Sequence, residues 1–355
     1  MSPHASPPPP RRPVPPAPGA ILLDCLDLHT EGEPLRVILS GFPLPEGDTV
    51  LARRRDARAR LDHLRRALLW EPRGHADMYG ALVVPPERPD SDFGVLFLHN
   101  DGYSTMCGHG VLALARAAVE TRRVPVQEPE TVVTMDTPAG QVRARVDVRD
   151  GRIGGIRFRN VPSWAADLDA VIQVPGLGTV RYDLAYGGAF YAYVEAGALG
   201  LELTPGEVSD LVAAGRSIKA AIQGAAPPHH PGDPELGFLY GVIFTGPPSG
   251  DAPGPPRHSR HVCVFADGEV DRSPTGTGVS GRLALLHARG SLGRHEDVII
   301  ESILGTRFRC RILDTVTTGG TTAVVPEVEG RCWVTGWSTF HLDPDDPLRE
   351  GFLLR

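Results

Sequence analysis

Two short glycine-rich segments carry the residue types best suited to chemistry in this 355-residue chain. Cys107 opens the segment CGHG and Thr275 opens the segment TGTG, and each follows a predicted strand and a polar turn and precedes a predicted helix. The first N–H groups of a helix lack intrahelical acceptors and lie at the positive end of its dipole, so a helix start favours an anion. Two such starts that face a shared point would hold a carboxylate on the backbone of four residues: Gly108, His109, Gly276 and Thr277.

The two side chains that open these segments differ in what they can do with a proton. A cysteine at a helix start commonly has its thiol pKa lowered from ~8.5 into the range ~3.5 to 7.5, which makes Cys107 a candidate general base. The hydroxyl of Thr275 is far too weak an acid to ionise near pH 7, and it can only donate or accept a hydrogen bond. A cysteine in an apolar helix is usually a core residue, but the glycines on both sides of His109 indicate close backbone approach. The site is therefore predicted to have one base.

Asp271 lies four residues before Thr275 and has two interpretations. It could stabilise the turn in a pair with Arg272, or it could accept a hydrogen bond from a ligand ammonium. The residue pattern leaves both open.

Three other kinds of site are disfavoured by spacing. Residues 276–281 match the dinucleotide-binding pattern GxGxxG, but residues 267–274 separate them from the preceding strand, and the strands downstream look antiparallel. A hydrolase that pairs Cys107 with His109 is disfavoured because residues i and i+2 of a helix do not face each other. No metal is expected, because three further histidines lack the spacing of metal ligands: His29, His75 and His99.

Composition and charge exclude several classes of protein. The chain is 41% hydrophobic and 22% charged, and it has no apolar run near the ~20 residues that a bilayer crossing needs, which excludes a membrane-spanning, fibrous or wholly disordered protein. A net charge of -7 with scattered arginines makes nucleic acid an unexpected partner. Lysine occurs once, at Lys219 on a predicted helix surface, so pyridoxal phosphate is set aside and no cofactor is expected.

The five cysteines are widely spaced and form no CxxC pair, which is typical of reduced thiols and predicts a cytoplasmic protein. Four of them lie in apolar alternation and are predicted core residues: Cys25, Cys263, Cys310 and Cys332.

Residues 1–19 contain nine prolines and no apolar signal-like stretch, so we expect a disordered tail, with a PxxP ligand for an SH3 domain as the alternative.

The length predicts two domains, and hydrophobic patterning predicts strands that alternate with four helices. The helices are predicted over residues 50–69, 108–120, 205–223 and 277–288. The strands are predicted over residues 21–28, 35–40, 79–84, 95–99, 131–136, 141–147, 156–160, 180–185, 190–195, 239–244, 261–265, 298–302, 307–313 and 332–337.

The two halves of the chain repeat three sequence matches in the same order, which indicates an internal duplication. The matches pair residues 27–32 with 183–188, residues 79–82 with 240–243, and residues 136–140 with 301–305. Cys107 and Thr275 then occupy equivalent places. The repeat predicts two copies of one α+β unit with the site between them.

Three motifs together resemble the proline racemase family over nearly all of residues 21–355. They are His29-Thr30 with Gly32 and Pro34, then the segment MCGHG around Cys107, then the segment DRSPTGTG around Thr275. Racemases of that family carry cysteine at both helix starts, so Thr275 is a departure. That departure, with stretches such as EPRGHADMYGA, VLFLHN, AYGGAFYA and DDPLREGFLL, is similar to the trans-3-hydroxy-L-proline dehydratase branch.

The resemblance implies a fold like that of diaminopimelate epimerase, in which two similar units, each a strand barrel around a helix, are related by a pseudo-twofold axis. Residues 20–172 would form the first unit, which carries Cys107, and residues 338–355 would return to it. Residues 173–337 would form the second unit, which carries Asp271 and Thr275. Because the family commonly has two glycines after His-Thr, Glu31 is a further departure, and it is expected to point away from an anionic ligand or to pair with an arginine.

The resemblance also implies a lyase that converts trans-3-hydroxy-L-proline to Δ1-pyrroline-2-carboxylate and water. Cys107 would remove the α-proton, the carbanion would expel the 3-hydroxyl, and Asp271 would orient the ring ammonium. Thr275 would contact the departing hydroxyl or fill the place of the second racemase thiol. The alternatives are a proline or hydroxyproline racemase or epimerase, and a non-catalytic binder of imino acids. The expected partner is a small molecule, with a homodimer as a possibility.

Overall fold

The computed structural model of the protein describes residues 17–249 and 258–354. All but the last three residues of the predicted proline-rich tail, and most of a predicted loop at 246–256, lie outside the described residues. None of the helices in this part of the chain combines the length and the apolar character that a bilayer crossing needs.

The first half of the chain contains eight strands and three helices. In chain order these are β1 (Ile21–Thr30), β2 (Glu33–Ser40), α1 (Val50–Arg60), α2 (Asp62–Leu69), β3 (Tyr79–Val84), β4 (Phe93–His99), β5 (Gly102–Ser104), α3 (Gly108–Glu120), β6 (Glu130–Thr137), β7 (Gly140–Arg149) and β8 (Arg152–Arg159). Most neighbouring strands pair antiparallel, whereas β2 with β3 and β4 with β6 pair parallel.

The second half contains ten strands and two helices. They are β9 (Trp164–Val174), β10 (Gly178–Tyr186), β11 (Phe190–Glu195), α4 (Val208–Ala225), β12 (Leu239–Gly246), β13 (His258–Phe265), β14 (Glu269–Val270), α5 (Gly276–Ala288), β15 (Val298–Glu301), β16 (Arg307–Thr318), β17 (Thr321–Gly330) and β18 (Cys332–Leu342). Its two parallel pairs, β11 with β12 and β13 with β15, repeat the arrangement of the first half.

Each half surrounds one buried helix with its strands. Nearly every residue of α3 is buried, as expected for a helix with apolar residues on all sides, and α3 packs against β1, β2, β7, β8 and β18. In the second half, α5 packs against β9, β10, β16 and β17. This confirms the predicted α+β fold of two similar units, each with strands around a central helix.

The predicted unit boundaries fall inside two strands that connect the halves. β9 spans the boundary at residue 172 and pairs with β10 of the second half. β18 spans the boundary at residue 337 and pairs with β1 along its whole length, from Cys332 opposite Thr30 to Leu342 opposite Ile21. The division of the chain into units at these residues stays a prediction.

Three local expectations were wrong. The single helix predicted over residues 50–69 is two helices, because the backbone breaks at Leu61 and α2 then turns Leu64 and Leu68 into the core. Strand β9 was not predicted, since Asp169 interrupts its alternation with a φ of 60°. Strand β17 was not predicted either: it contains Pro326, which is tolerated because it lies where the register with β16 shifts.

Candidate active site

The starts of α3 and α5 touch each other at two glycines. A Cβ atom added to Gly108 would lie 2.4 Å from the Cα of Gly276, and one added to Gly276 would lie 2.5 Å from the Cα of Gly108. Any larger residue at either position would force the helices apart. The contact aims the unpaired N–H groups of both first turns at one small region.

All seven residues predicted for the site line one cavity between the two helix starts: Cys107, Gly108, His109, Asp271, Thr275, Gly276 and Thr277. Six further residues that were not predicted also line it: Tyr79, Met106, Tyr191, Tyr240, Cys263 and Phe265. The open space measures about 10 Å³, which is roughly the room for one water molecule. A ligand as large as proline therefore does not fit into the space as it stands in this structure.

Cys107 is the N-cap of α3. Its backbone is extended, and its Sγ accepts a hydrogen bond from Gly110 N at 3.2 Å. Because the side chain folds back over the first turn, Sγ also lies 3.2 Å from Nδ1 of His109. The expectation that Cys107 and His109 do not face each other was therefore wrong, since it treated Cys107 as a residue within the helix.

The protonation of Cys107 also differs from the sequence-based expectation. Burial raises the pKa of its thiol well above the ordinary value, the hydrogen bond from Gly110 acts in the opposite direction, and the charge of Asp271 raises the pKa further. Burial lowers the pKa of His109, so its ring is neutral and can accept a proton. In this closed arrangement the pair is a protonated thiol beside a neutral imidazole.

Asp271 and Glu33 form a buried acidic cluster beside His109. Asp271 Oδ1 accepts a hydrogen bond from Ser273 N at 2.7 Å, and its Oδ2 lies 4.0 Å from His109 Nδ1. Glu33 Oε2 accepts from Arg272 N at 2.7 Å, whereas its Oε1 is buried without a hydrogen-bond partner among the described residues. Burial, and then the charge of Asp271, raise the pKa of Glu33 well above its ordinary value.

This cluster could hold a cation. Ligand-type atoms of Glu33, His109 and Asp271 lie within 4.8 Å of one another, a spacing compatible with a metal ion and equally with an ammonium group. The turn pair between Asp271 and Arg272 is not observed, because Arg272 forms an ion pair with Asp77 at 3.0 Å. Asp271 thus stabilises the turn through Ser273 and keeps its other oxygen towards the cavity side.

Thr275 is the residue at the start of α5 that is equivalent to Cys107 at the start of α3, but its backbone conformation is different. Its backbone has a φ of 69°, a region that branched residues rarely adopt, and its side chain does not cap α5. Its Oγ1 is buried and has no hydrogen-bond partner in the part of the chain that the structure describes. This hydroxyl of a cavity-lining residue is therefore available to a ligand.

One sequence signal could have found two of the unpredicted lining residues. Tyr79 and Tyr240 begin the matched segments YGAL and YGVI, and their hydroxyl oxygens lie 3.2 Å apart across the two units. Cys263 is buried as predicted, yet it also lines the cavity, because its strand position faces inward next to Thr275.

Glu31 is not a lining residue of the cavity. Its Oε1 accepts a hydrogen bond from Arg331 N at 2.9 Å, which agrees with the expectation that it points away.

Comparison with known proteins places this site in a family. The family model described as proline racemase matches residues 25–353. The chain belongs to the proline racemase family. It is 49% identical over 335 residues to a trans-3-hydroxy-L-proline dehydratase of Colwellia psychrerythraea, which covers 94% of this chain and 93% of that protein. It is 45% identical over 334 residues to a 3-hydroxyproline 2-epimerase of Burkholderia multivorans, with 94% and 98% covered.

A solved structure agrees with the fold of this proline racemase family member. The hydroxyproline epimerase of Agrobacterium vitis with bound trans-4-hydroxy-L-proline superimposes with a TM-score of 0.88 at 35% identity, over 94% of this chain and 95% of that one. Relatives of similar identity are thus named for dehydration and for epimerisation. Membership in the proline racemase family alone does not decide between the two reactions.

Proposed function

We propose that this protein is a hydro-lyase that converts trans-3-hydroxy-L-proline to Δ1-pyrroline-2-carboxylate and water. The observation that carries the proposal is the difference between the two helix starts, one with the thiol of Cys107 and the other with the hydroxyl of Thr275. Dehydration needs one base at the α-carbon, whereas epimerisation needs a base and an acid on opposite faces.

The site has a binding partner for each charge of an imino acid. The N–H groups at the starts of α3 and α5 would bind the carboxylate, and they would stabilise the negative charge that develops on it when the α-proton leaves. Asp271, which lines the cavity, would receive the ring ammonium, with Glu33 as a second buried carboxylate beside it. The helix starts and Asp271 line the same cavity, as the adjacent carboxylate and ammonium of a proline require.

Substrate binding would itself prepare the base. Burial and the charge of Asp271 keep the Cys107 thiol protonated in the closed site. A ring ammonium placed between Asp271 and Cys107 neutralises that charge and lowers the thiol pKa, since a nearby positive charge favours the thiolate. Nδ1 of the neutral His109, 3.2 Å from Sγ, is positioned to take the thiol proton.

The elimination then follows from one proton transfer. Cys107 removes the α-proton, the electron pair of the broken C–H bond forms the double bond between the α- and β-carbons, and the 3-hydroxyl leaves. The enamine tautomerises to Δ1-pyrroline-2-carboxylate. In this account Thr275 fills the place of a second thiol, and no acid returns a proton to the opposite face.

Epimerisation is the second candidate, and one feature favours it. Cys263 lines the cavity beside Thr275, so the second unit does contribute a thiol to the site. If that thiol returned a proton to the α-carbon, the product would be the epimer.

Proton NMR of trans-3-hydroxy-L-proline with the purified protein in D2O separates these functions. We expect loss of the substrate with formation of Δ1-pyrroline-2-carboxylate, and no reaction with Cys107→Ala. An epimer that disappears in Cys263→Ala would establish the second candidate instead. A protein that binds the imino acid with unchanged affinity before and after Cys107→Ala, and never converts it, would be a non-catalytic binder.

A further inference from the structure

The proposed elimination leaves one proton unassigned, namely the proton that the departing hydroxyl needs. Hydroxide is a poor leaving group, and a positioned acid typically accelerates such a step by about 10² to 10⁴-fold. The stereochemistry of the substrate restricts where this acid can lie. In trans-3-hydroxy-L-proline the carboxylate and the hydroxyl are on opposite faces of the ring, so the α-hydrogen and the hydroxyl share one face. The acid must therefore lie on the same side as Cys107, not on the side of Thr275.

Tyr79 is the cavity residue that meets this condition. It lies at the start of β3 in the same unit as Cys107, it is 2% exposed, and its ring packs edge-on against His109 with centroids 4.8 Å apart. Its side chain also interacts with the Cys107 thiol, and this interaction lowers the thiol pKa against the larger opposing effect of burial. The phenol is thus a neighbour of the group that takes the α-proton.

The hydroxyl of Tyr79 is held by two further hydroxyls. Its Oη lies 2.5 Å from Ser104 Oγ and 3.2 Å from Oη of Tyr240. Both partners can donate to the Tyr79 oxygen, which leaves its own hydrogen free to point at the cavity and stabilises a phenolate once that hydrogen has been given away.

We propose that Tyr79 is the general acid that protonates the departing 3-hydroxyl. This inference rests on the proposed function. The α-proton passes to the Cys107 thiolate, the C–O bond breaks with its electron pair on oxygen, and the Tyr79 proton converts that oxygen to water. The thiol of Cys107 then returns a proton to the neighbouring Tyr79 oxygen, a favourable transfer because a free thiol is a stronger acid than a free phenol. Both groups are restored without an additional reactant.

Four other polar residues of the cavity fit this role less well: Tyr191, Cys263, Thr275 and His109. Tyr191 Oη is engaged with Thr277 Oγ1 at 2.7 Å, on the wall formed by the second unit. Cys263 and Thr275 line the cavity from the second unit, not from the unit that carries Cys107. His109 is neutral and is already the partner of the Cys107 proton.

The test compares two leaving groups in Tyr79→Phe. The variant removes one oxygen atom and keeps the ring, so we expect it to fold, with Tyr186→Phe as a matched control that deletes a buried hydroxyl away from the cavity. We expect Tyr79→Phe to lose about 100-fold or more in kcat on trans-3-hydroxy-L-proline. On trans-3-fluoro-L-proline, whose fluoride needs no proton to leave, we expect a loss of less than about 10-fold. The control should convert both compounds as the unmodified protein does.

Equal losses on the two substrates would overturn the assignment, because they would mean that Tyr79 acts only on Cys107 or on the packing of the site. An unchanged rate of dehydration would overturn it as well. A second measurement tests the same assignment: the rate of α-deuterium exchange of the hydroxyproline in D2O is compared with the rate of water loss in Tyr79→Phe. If Tyr79 is the acid, exchange should be faster than water loss in this variant. A structural defect would lower both rates together. Failure of the proposed function is seen separately, as an unmodified protein that does not dehydrate the substrate.

Discussion

The starts of α3 and α5 meet at their glycines and line one cavity, but their N-cap residues differ in side chain and in backbone conformation. Both follow a strand and a turn, both place glycine at the point of mutual contact, and both present N–H groups to the same small cavity. At the first start, Cys107 caps the helix and contacts His109. At the second, Thr275 has a φ of 69°, caps nothing and keeps an unpartnered hydroxyl.

This difference indicates that, in the duplicated unit, the backbone N–H groups that would bind the substrate carboxylate are independent of the side chain that would transfer the proton. In the proposed site the backbone N–H groups of both starts are needed together, because both would bind the substrate carboxylate. The N-cap side chains of the two starts are not needed together for proton transfer, since only Cys107 at the first start can act as a base. Asymmetry of this kind suits a reaction that removes a proton from one face and never returns it to the other.

The largest expected effect comes from changing one heavy atom at each start. Cys107→Ser should lose about 1,000-fold or more in kcat, since a hydroxyl cannot ionise near pH 7 and a base contributes about 10² to 10⁴-fold. Thr275→Val, which removes only the hydroxyl function, should lose about 10-fold or less. Steady-state rates of Δ1-pyrroline-2-carboxylate formation measure both. Comparable losses in the two variants would contradict the assignment of a single base.

A smaller loss is expected when the contact between the starts is disturbed. In Gly276→Ala the new Cβ would lie 2.5 Å from the Cα of Gly108, so the two helix starts must separate. Their N–H groups would then no longer point at the same region of the cavity. Misplacement by about 1 Å can cost about 100-fold in rate, and we expect a loss of that order. Gly197→Ala is the matched control, because no atom lies within 4 Å of its added Cβ. Normal turnover by Gly276→Ala would show that the close approach is not required.

Restoring a thiol at the second start should make the two starts more alike. Thr275→Cys places a second sulfur where the family's racemases have one, and we expect a small amount of α-epimer from L-proline, with dehydration of the hydroxyproline retained. Chiral chromatography after incubation of L-proline measures the epimer. Its appearance with the unmodified protein would instead mean that Cys263 already supplies the second thiol.

The sequence predicted the main parts of the fold because the repeat and the alternation of apolar residues are local signals. Helix α3 was predicted with its observed bounds, and the segments around Tyr79 and Tyr240 were matched before their contact was known. All residues predicted for the site lie around one cavity. Spacing and residue type were sufficient there because each segment brings its own helix start.

The remaining features depend on contacts between segments far apart in the chain. Glu33 enters the site from β2 and meets Asp271 only after the units pack together, so neither spacing nor type could indicate it. The contact between Cys107 and His109 forms because Cys107 is the N-cap of α3, with an extended backbone, and not a residue within the helix. The pKa of Cys107 depends on how deeply the closed units bury it, which outweighs the local effect of the helix start.

The smallest predicted effect concerns a second pair of equivalent residues, the carboxylates Asp136 and Glu301 at the matched turns. Both are fully buried. Burial raises the pKa of each, but hydrogen bonds outweigh it, chiefly from Arg88 to Asp136 and from Ser249 to Glu301, so that the pKa of Asp136 is lowered and that of Glu301 falls to about 2.

A carboxylate with a lowered pKa stabilises the folded state above its unfolded pKa, and this contribution is lost as the pH falls through the folded value. We therefore expect Glu301→Gln to reduce the free energy of unfolding by about 2 to 3 kcal/mol at pH 7 and by about 1 kcal/mol near pH 3. Urea denaturation at the two pH values measures the difference, and Asp136→Asn should behave in the same direction. A reduction that is equal at both pH values would mean that Glu301 acts through packing and not through its charge, and the two turns would then be alike in sequence only.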